Sequence, residues 1–385
     1  MNTAYDLVII GAGSVGLPAA LVAQRAGLKT LVLEARASSG QGDAKTAIGG
    51  IRATHSHPAK IQICLRSLKV FAEWKEKEGD DIGWNMGGYL FPVYIEQDES
   101  TLKGLLQVQR AHGLNIDWID AATVSQIVPG IRQQELHGGT YSPEDGNASP
   151  LRCNAAFHRA AAAAGVEFRF GEKVLRTDVD RGRVVGITTD RGSYPCANVL
   201  NAAGTEAAEL ARHVRLDLPV YPDSHEAGVT EPVARFFEPL IVDIRATPGA
   251  KNCYFYQNCE NRVIFCLTPE PLFPGTDRNS TSSFLPLVAR KMTDLFPKLA
   301  NIRVRRIWRG CYPQTPDGNP VVGQAPDVAG YFFAAGMCGQ GFMLGPGLAY
   351  DLVGLMADGK TVTEPHIFDL FSVERDFSAA MEALR

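Results

Sequence analysis

Glycines 11, 13 and 16 of the run Gly11-Ala12-Gly13-Ser14-Val15-Gly16 are spaced for chemistry done by backbone rather than by side chains. Gly11 suits a tight turn, Gly13 lets the main chain approach a pyrophosphate, and Gly16 lets a helix lie close on a strand. Ser14 and Val15 fall at the opening of that helix, where free N–H groups and the helix dipole favour a phosphate. Glu34, at the end of the next apolar run, can accept hydrogen bonds from a ribose diol. Two further runs of small residues offer close backbone approach. One is Asn201-Ala202-Ala203-Gly204, where a strand stops. The other contains Gly336, Gly339, Gly341, Gly345 and Gly347. Glycine loses more freedom on folding than any other residue. A flat ring lying against the backbone gives a reason for so many, with a helix N-terminus pointed at the ring's electron-rich edge.

These residues need elements to hold them. Residues 5–10 read as a buried parallel strand, 17–26 as a helix stopped by Gly27, and 28–33 as a second strand. Strand, GxGxxG, helix, strand and acid at this length make a dinucleotide-binding unit. A nicotinamide dinucleotide would be held mostly by that unit. FAD spreads its contacts along the chain, and the later small-residue runs favour FAD. Residues 166–170, 174–179 and 184–188 read as short strands linked by tight turns, and 198–204 as the strand that ends in Ala-Ala-Gly. Residues 320–323 and 331–335 are two more strands, and a helix is expected from about 346 to 356, with Pro346 in its first turn. Residues 252–257 and 262–266 form a hairpin around Cys259-Glu260-Asn261. Ile61, Leu65, Leu68, Phe71 and Trp74 recur at helical spacing and are read as core.

Composition narrows the classes without choosing among them. The chain has 385 residues with 45% hydrophobic and 21% charged, and a mean hydropathy of −0.07. That is the profile of a folded protein of two to three domains, not of a disordered or fibrous chain. A net charge of −4 argues against a nucleic-acid partner. Eight cysteines are scattered, and the group Cys253, Cys259 and Cys266 has no histidine in ligand spacing, so no metal site is expected. Glycines and Pro18 break the apolar stretch 7–23, so no transmembrane segment is expected. Scattered thiols and the absence of a recognisable secretory leader point to a cytoplasmic location.

The motifs also occur in a familiar order: GAGSVG with Glu34, then Ala47-Ile48-Gly49-Gly50-Ile51-Arg52, then Pro143-Glu144-Asp145-Gly146 with Pro150-Leu151. Asn201-Ala202-Ala203-Gly204, Thr230-Glu231-Pro232, Thr315-Pro316-Asp317-Gly318-Asn319-Pro320 and Gly339-Gln340-Gly341-Phe342 follow. Across nearly the whole chain this resembles the D-amino-acid-oxidase-like (DAO) superfamily of FAD-dependent oxidoreductases. Within it, the chain is most similar to the sarcosine oxidase β-subunit and dye-linked L-proline dehydrogenase β-subunit group. The resemblance implies an α/β fold: a Rossmann-like FAD-binding domain (1–85, 150–215 and 305–385) intertwined with an antiparallel-sheet substrate domain (86–149 and 216–304). It also implies where FAD is held. Besides the residues of the 11–16 run and Glu34, contacts would come from Ala35, Arg36, Thr46, Ala47, Gly49 and Gly50. Val174, Ala203, Gly204, Gly310 and Gly336 would add to these, and Gly339, Gln340, Gly341, Phe342 and Met343 would complete the cradle.

The implied reaction is FAD-dependent oxidation of a secondary amine, amino acid or imino acid of sarcosine, proline or opine type. A hydride passes to flavin N5 and leaves an imine that water hydrolyses. Arg52 matches the arginine that holds the substrate carboxylate in sarcosine oxidases. Tyr256, which shares a strand face with Tyr254, is a candidate to orient the amine or take its proton, as are His225 and Glu226; Met343 is a further site candidate. Departures from the family pattern matter. Gln340 replaces a histidine, and Met343 stands where a second carboxylate-binding lysine is common. Gly310 occupies the register of a flavin-linking cysteine, with Cys311 one residue off and hence on the opposite face, so FAD is expected to be non-covalent. Ile264 stands in the place of an oxygen-activating lysine, which favours a dehydrogenase that passes electrons to a second subunit or carrier. The subgroup allows an additional FMN at a subunit interface. The alternatives are an FAD-dependent 2-hydroxy-acid dehydrogenase, or a flavin-bearing subunit active only within a hetero-oligomer.

Overall fold

The protein's structure, a computed structural model, describes residues 4–378 and 382–384. Its first sheet runs, in spatial order, Val321–Gln324, Tyr331–Ala335, Ser193–Asn201, Tyr5–Ile10, Thr30–Glu34 and Glu167–Phe170. All neighbours on this path are parallel except the first pair. Leu7, Val8 and Ile9 are fully buried in succession, as a strand covered on both faces requires. Val174–Asp180 and Arg183–Thr189 form an antiparallel excursion that pairs onto Ser193–Asn201. Strand order reverses at Tyr5–Ile10, whose neighbours are the next strand in the chain on one side and Ser193–Asn201 on the other. In open sheets of this kind, ligands bind outside the carboxyl ends of the strands at that point.

Four helices cover one face of this sheet: Gly16–Arg25, Pro58–Glu78, Pro150–Ala163 and Gly341–Asp358. They meet in a single core that includes Leu17, Phe71, Trp74, Phe157 and Leu352. The last of them begins five residues earlier than the sequence predicts, so Pro346 lies inside it. Gln340 sets the first turn, its carbonyl accepting from the Leu344 N–H at 2.9 Å. The reason lies in the glycines. A Cβ at Gly345 would overlap the Ser14 carbonyl, and one at Gly347 would overlap the Ile63 carbonyl. These two glycines therefore let the helix lie against the backbones of the first helix and the long helix Pro58–Glu78, and are not explained by a flat ligand ring.

The second sheet is mixed. Its order is Val304–Gln314, Tyr221–Pro232, Arg262–Pro269, Ala250–Gln257, Leu240–Asp243, Tyr89–Val93, Gly138–Ser142 and Asp117–Asp120, and only Leu240–Asp243 pairs parallel with Tyr89–Val93. Val304–Gln314 is thus an edge of this sheet, held antiparallel to Tyr221–Pro232 from Tyr221↔Gln314 to Thr230↔Val304. The sequence division had grouped those residues with the FAD-binding domain. One face packs on the helix Phe284–Leu295 through Phe255, Phe265, Val288 and Leu295. The opposite face looks toward the carboxyl edge of the first sheet.

Candidate active site

One cavity of about 720 Å³ lies between that edge and that face. At one end it meets the glycine turn. Gly11 takes φ +105°, and a Cβ there would crowd the Ala202 carbonyl. Gly13, Ser14 and Val15 line the wall at the N-terminus of the first helix, where backbone N–H groups have no intrahelical acceptor. The Ser14 hydroxyl is buried and has no partner among the described residues. Gly16 does not reach the cavity. Its missing Cβ makes room for the Gly11 carbonyl and for Ile9, the close packing of helix on strand that its spacing implied. Glu34 ends its strand with the carboxylate fixed by two backbone donors, Ala12 N–H at 2.9 Å and Arg36 N–H at 2.8 Å, and still lines the cavity. Ala35, Arg36, Val174, Ala203 and Gly204 continue the same wall.

The middle of the cavity is formed by Thr46, Ala47, Gly49 and Gly50 on one side, and by Gly336 and residues 339–343 on the other. The 46–50 segment is pinned to the second sheet twice. Trp308 Nε1 donates to the Thr46 carbonyl at 2.9 Å, and the Tyr256 hydroxyl donates to the Ile48 carbonyl. Phe342 and Met343 come from the first turn of the glycine-rich helix. The Gln340 side-chain oxygen is buried beside them, with no partner among the described residues. Gly339, at φ +77°, has a specific neighbour: a Cβ there would enter the Tyr312 ring. The ring this glycine accommodates is therefore the protein's own.

Several expectations change at this point. Tyr256 is absent from the cavity wall; it is buried behind it, holding Ile48, while Tyr254 two residues earlier does line the cavity. His225 and Glu226 are strand neighbours and so face opposite ways. His225 lines the cavity, whereas Glu226 points to the other side, where its carboxylate accepts from Thr281 N–H and Oγ1, each at 2.6 Å. Gly310 pairs with His225 and is turned toward Thr46, whose side chain fills the space of a Cβ, while Cys311 pairs with Ser224 and reaches the cavity rim on the other side of the strand, in the register expected. Ile264 lies off the cavity, and the lysines on its wall are Lys173 and Lys251.

The end enclosed by the second sheet carries the side-chain chemistry. Arg52 lines it and is 8% exposed. Its guanidinium donates to the Thr54 carbonyl and, at 2.5 Å, to the Leu384 carbonyl. Glu382 in the same C-terminal segment is fully buried, 3.1 Å from Lys60, and accepts from Ser56 N–H and Oγ. Burial opposes its ionisation, but Lys60, the Ser56 hydrogen bond and Arg52 outweigh that and hold its carboxyl well below the usual range. Burial first, then Arg52, pushes His55 far down, so its ring is neutral. Asp145 accepts from Ala53 N–H and Thr54 Oγ1, yet burial still raises its carboxyl to about 6. Across the cavity, His225 stacks on Tyr312 with centroids 3.9 Å apart, and the Tyr312 and Tyr254 hydroxyls are 3.3 Å apart. Asp223 lies 3.1 Å from His225 Nε2. Sequence reasoning missed Asp223, Tyr312, Lys60 and Glu382. Only the first left a local signal: Asp-x-His on one strand puts both side chains on one face.

The residues present suit FAD. Phosphate-binding N–H groups, the orphaned Ser14 hydroxyl, a fixed carboxylate for the ribose and the unpartnered Gln340 oxygen all open onto one elongated cavity. The family described as "FAD dependent oxidoreductase" (DAO) matches residues 6–355. The chain is 28% identical to the glycine oxidase of Geobacillus kaustophilus (strain HTA426), over 97% of this chain and 98% of that protein. It is 24% identical to the sarcosine oxidase subunit beta of Rhizobium meliloti (strain 1021), over 97% and 89% respectively. Among solved structures, the L-proline dehydrogenase from P. horikoshii superposes with a TM-score of 0.91 at 25% identity, covering 99% of this chain and 100% of that one.

Proposed function

The chain belongs to the DAO family of FAD-dependent oxidoreductases, which oxidise amines and amino acids, and we propose that its substrate is a small amino or imino acid held by its carboxylate at Arg52. The observation that supports this most is the continuity of one cavity from the phosphate-binding turn to a buried guanidinium. Gly13 and Ser14 would hold the pyrophosphate and Glu34 the ribose, and the N-terminus of the helix Gly341–Asp358 would lie toward the ring system. When bound, FAD supplies a two-electron acceptor. Arg52 can present up to five N–H donors; Thr54 and Leu384 take two and His55 Nδ1, 3.4 Å away, faces a third, so a carboxylate can be gripped by the remainder. Tyr254, Tyr312 and His225 then wall the amine end and limit access of water.

The likeness to a sarcosine oxidase subunit extends the proposal to a second subunit or electron carrier, and an additional FMN at that interface is part of the same proposal. Flavin analysis of the native assembly tests this, because FAD alone on a single kind of chain contradicts it. The substrate reading is tested by turnover with a dye acceptor on the FAD-loaded protein. Amino and imino acids should react, and matched amines lacking the carboxylate should require far higher concentrations. Turnover of 2-hydroxy acids in preference to amino acids would overturn it.

A further inference from the structure

We propose that His225, held by Asp223, is the base that takes a proton from the substrate nitrogen through Nδ1; the inference rests on the amine oxidation proposed above. Asp223 and His225 are two apart on the strand Tyr221–Pro232 and so share the face toward the cavity. Asp223 is 1% exposed and His225 5%. A carboxylate can only accept, so the 3.1 Å contact with Nε2 puts the ring proton there and leaves the lone pair of the neutral ring on Nδ1. Nδ1 is buried and has no partner among the described residues. The ring cannot easily turn away, because Tyr312 stacks on it at an interplanar angle of 21° and Gly339 leaves room for Tyr312 to do so. An unused acceptor costs free energy when buried, so its presence on a cavity wall points to a donor supplied by a ligand.

The chemistry needs such an acceptor. A substrate ammonium has no lone pair to drive hydride loss. Transfer of one N–H proton to Nδ1 leaves the neutral amine. The C–H hydrogen then leaves with its bonding pair, as hydride, to the two-electron acceptor, and the nitrogen lone pair forms the C=N bond of the iminium. The substrate is oxidised by two electrons and the acceptor reduced by two. The ionisable groups about the ring are Asp223 on its own strand, Tyr312 from Val304–Gln314 and, touching Tyr312, Tyr254 from Ala250–Gln257 with Cys266 beyond it. Burial pushes both tyrosines and Cys266 upward, so they stay neutral across the working range. Arg309 lies on the reverse face, bonded to Ser224.

Two measurements test this. ¹⁵N NMR of histidine-labelled protein, assigned with His225→Gln, should show a neutral ring protonated at Nε2. Asp223→Asn, which can offer an amide donor, should move the proton to Nδ1. In stopped-flow flavin reduction by L-proline or sarcosine near neutral pH, His225→Gln should be slower by about 10²–10⁴-fold, with flavin content and benzoate affinity unchanged. That deficit should close as pH rises into the range where the substrate amine deprotonates by itself. A wild-type ring protonated at Nδ1, an unchanged rate, or a loss equal at every pH would overturn the assignment. If His225→Gln takes up no FAD, the wild-type tautomer decides. A protein that no amine reduces, but whose ring shows the expected tautomer, would count against the proposed oxidation rather than against the Asp223–His225 geometry.

Discussion

At the scale of single residues, Arg52 carries the substrate argument. It is buried, opens onto the same cavity as the phosphate turn, and already holds two backbone carbonyls. Arg52→Gln should weaken binding of an unreactive carboxylate such as benzoate by about tenfold or more, the loss of one charge-assisted pair. FAD content should be unchanged, and both are read by flavin absorbance. A second residue-scale prediction concerns Tyr256. Because its hydroxyl supports the Ile48 carbonyl rather than a substrate, Tyr256→Phe should cost about 1–3 kcal/mol of stability and loosen FAD, while the pH dependence of turnover stays as in the wild type. Denaturant unfolding and FAD titration check it. The phosphate turn was legible in the sequence because Gly11, Gly13, Gly16 and Glu34 carry their meaning locally. Glu382 was not, since its role depends on partners that folding alone brings near, such as Lys60, whereas the Asp-x-His of Asp223 and His225 needed only the strand to be recognised.

Among elements, the glycine-rich helix Gly341–Asp358 couples packing to the cofactor site. Gly345 lies on Ser14, whose own hydroxyl faces the cavity unpartnered, so a methyl group there pushes directly on the phosphate turn. Gly345→Ala should destabilise the fold by about 1–3 kcal/mol and raise the Kd for FAD, measured by unfolding and by fluorescence titration. Gly359→Ala, which has nothing near it, should affect FAD binding little. The sequence identified this run as special but attributed every glycine to a ligand ring. It could not separate glycines that face a cavity from glycines that let two backbones touch, since both appear as the same letter. Strand faces were equally hard to assign. The faces of Gly310 and Cys311 depend on register, which is set by pairing with distant strands, whereas Tyr254 and Tyr256 share a face and differ in where along the strand the cavity ends.

Over the whole molecule, two sheets enclose the cavity and a buried charge cluster ties the C-terminal segment to it. The Rossmann-like first sheet was readable from periodicity and turn residues. The second sheet was not readable in its order, because its strands come from residues 89 to 314 and pair across long separations. The cluster makes stability depend on pH in two opposite ways. Asp145 has its folded carboxyl raised from 3.8 to about 6, so its contribution is full below about 4 and is lost as pH rises through 6, by up to about 3 kcal/mol. Glu382 is depressed, so its contribution is present above the ordinary carboxylate range and lost as pH falls below it. In denaturant unfolding, the stability gain of Asp145→Asn over the wild type should therefore grow from pH 4 to 7. Glu382→Gln should cost about 3–5 kcal/mol at pH 7, because Lys60 is left buried without its partner.

The most direct test of the whole arrangement is an anaerobic titration of the FAD-loaded protein, following the flavin absorbance. The expected result is stoichiometric bleaching by an amino or imino acid such as L-proline, sarcosine or glycine, none by lactate, and a shift to far higher concentrations in Arg52→Gln. Failure to take up FAD, or bleaching by lactate alone, would contradict the account.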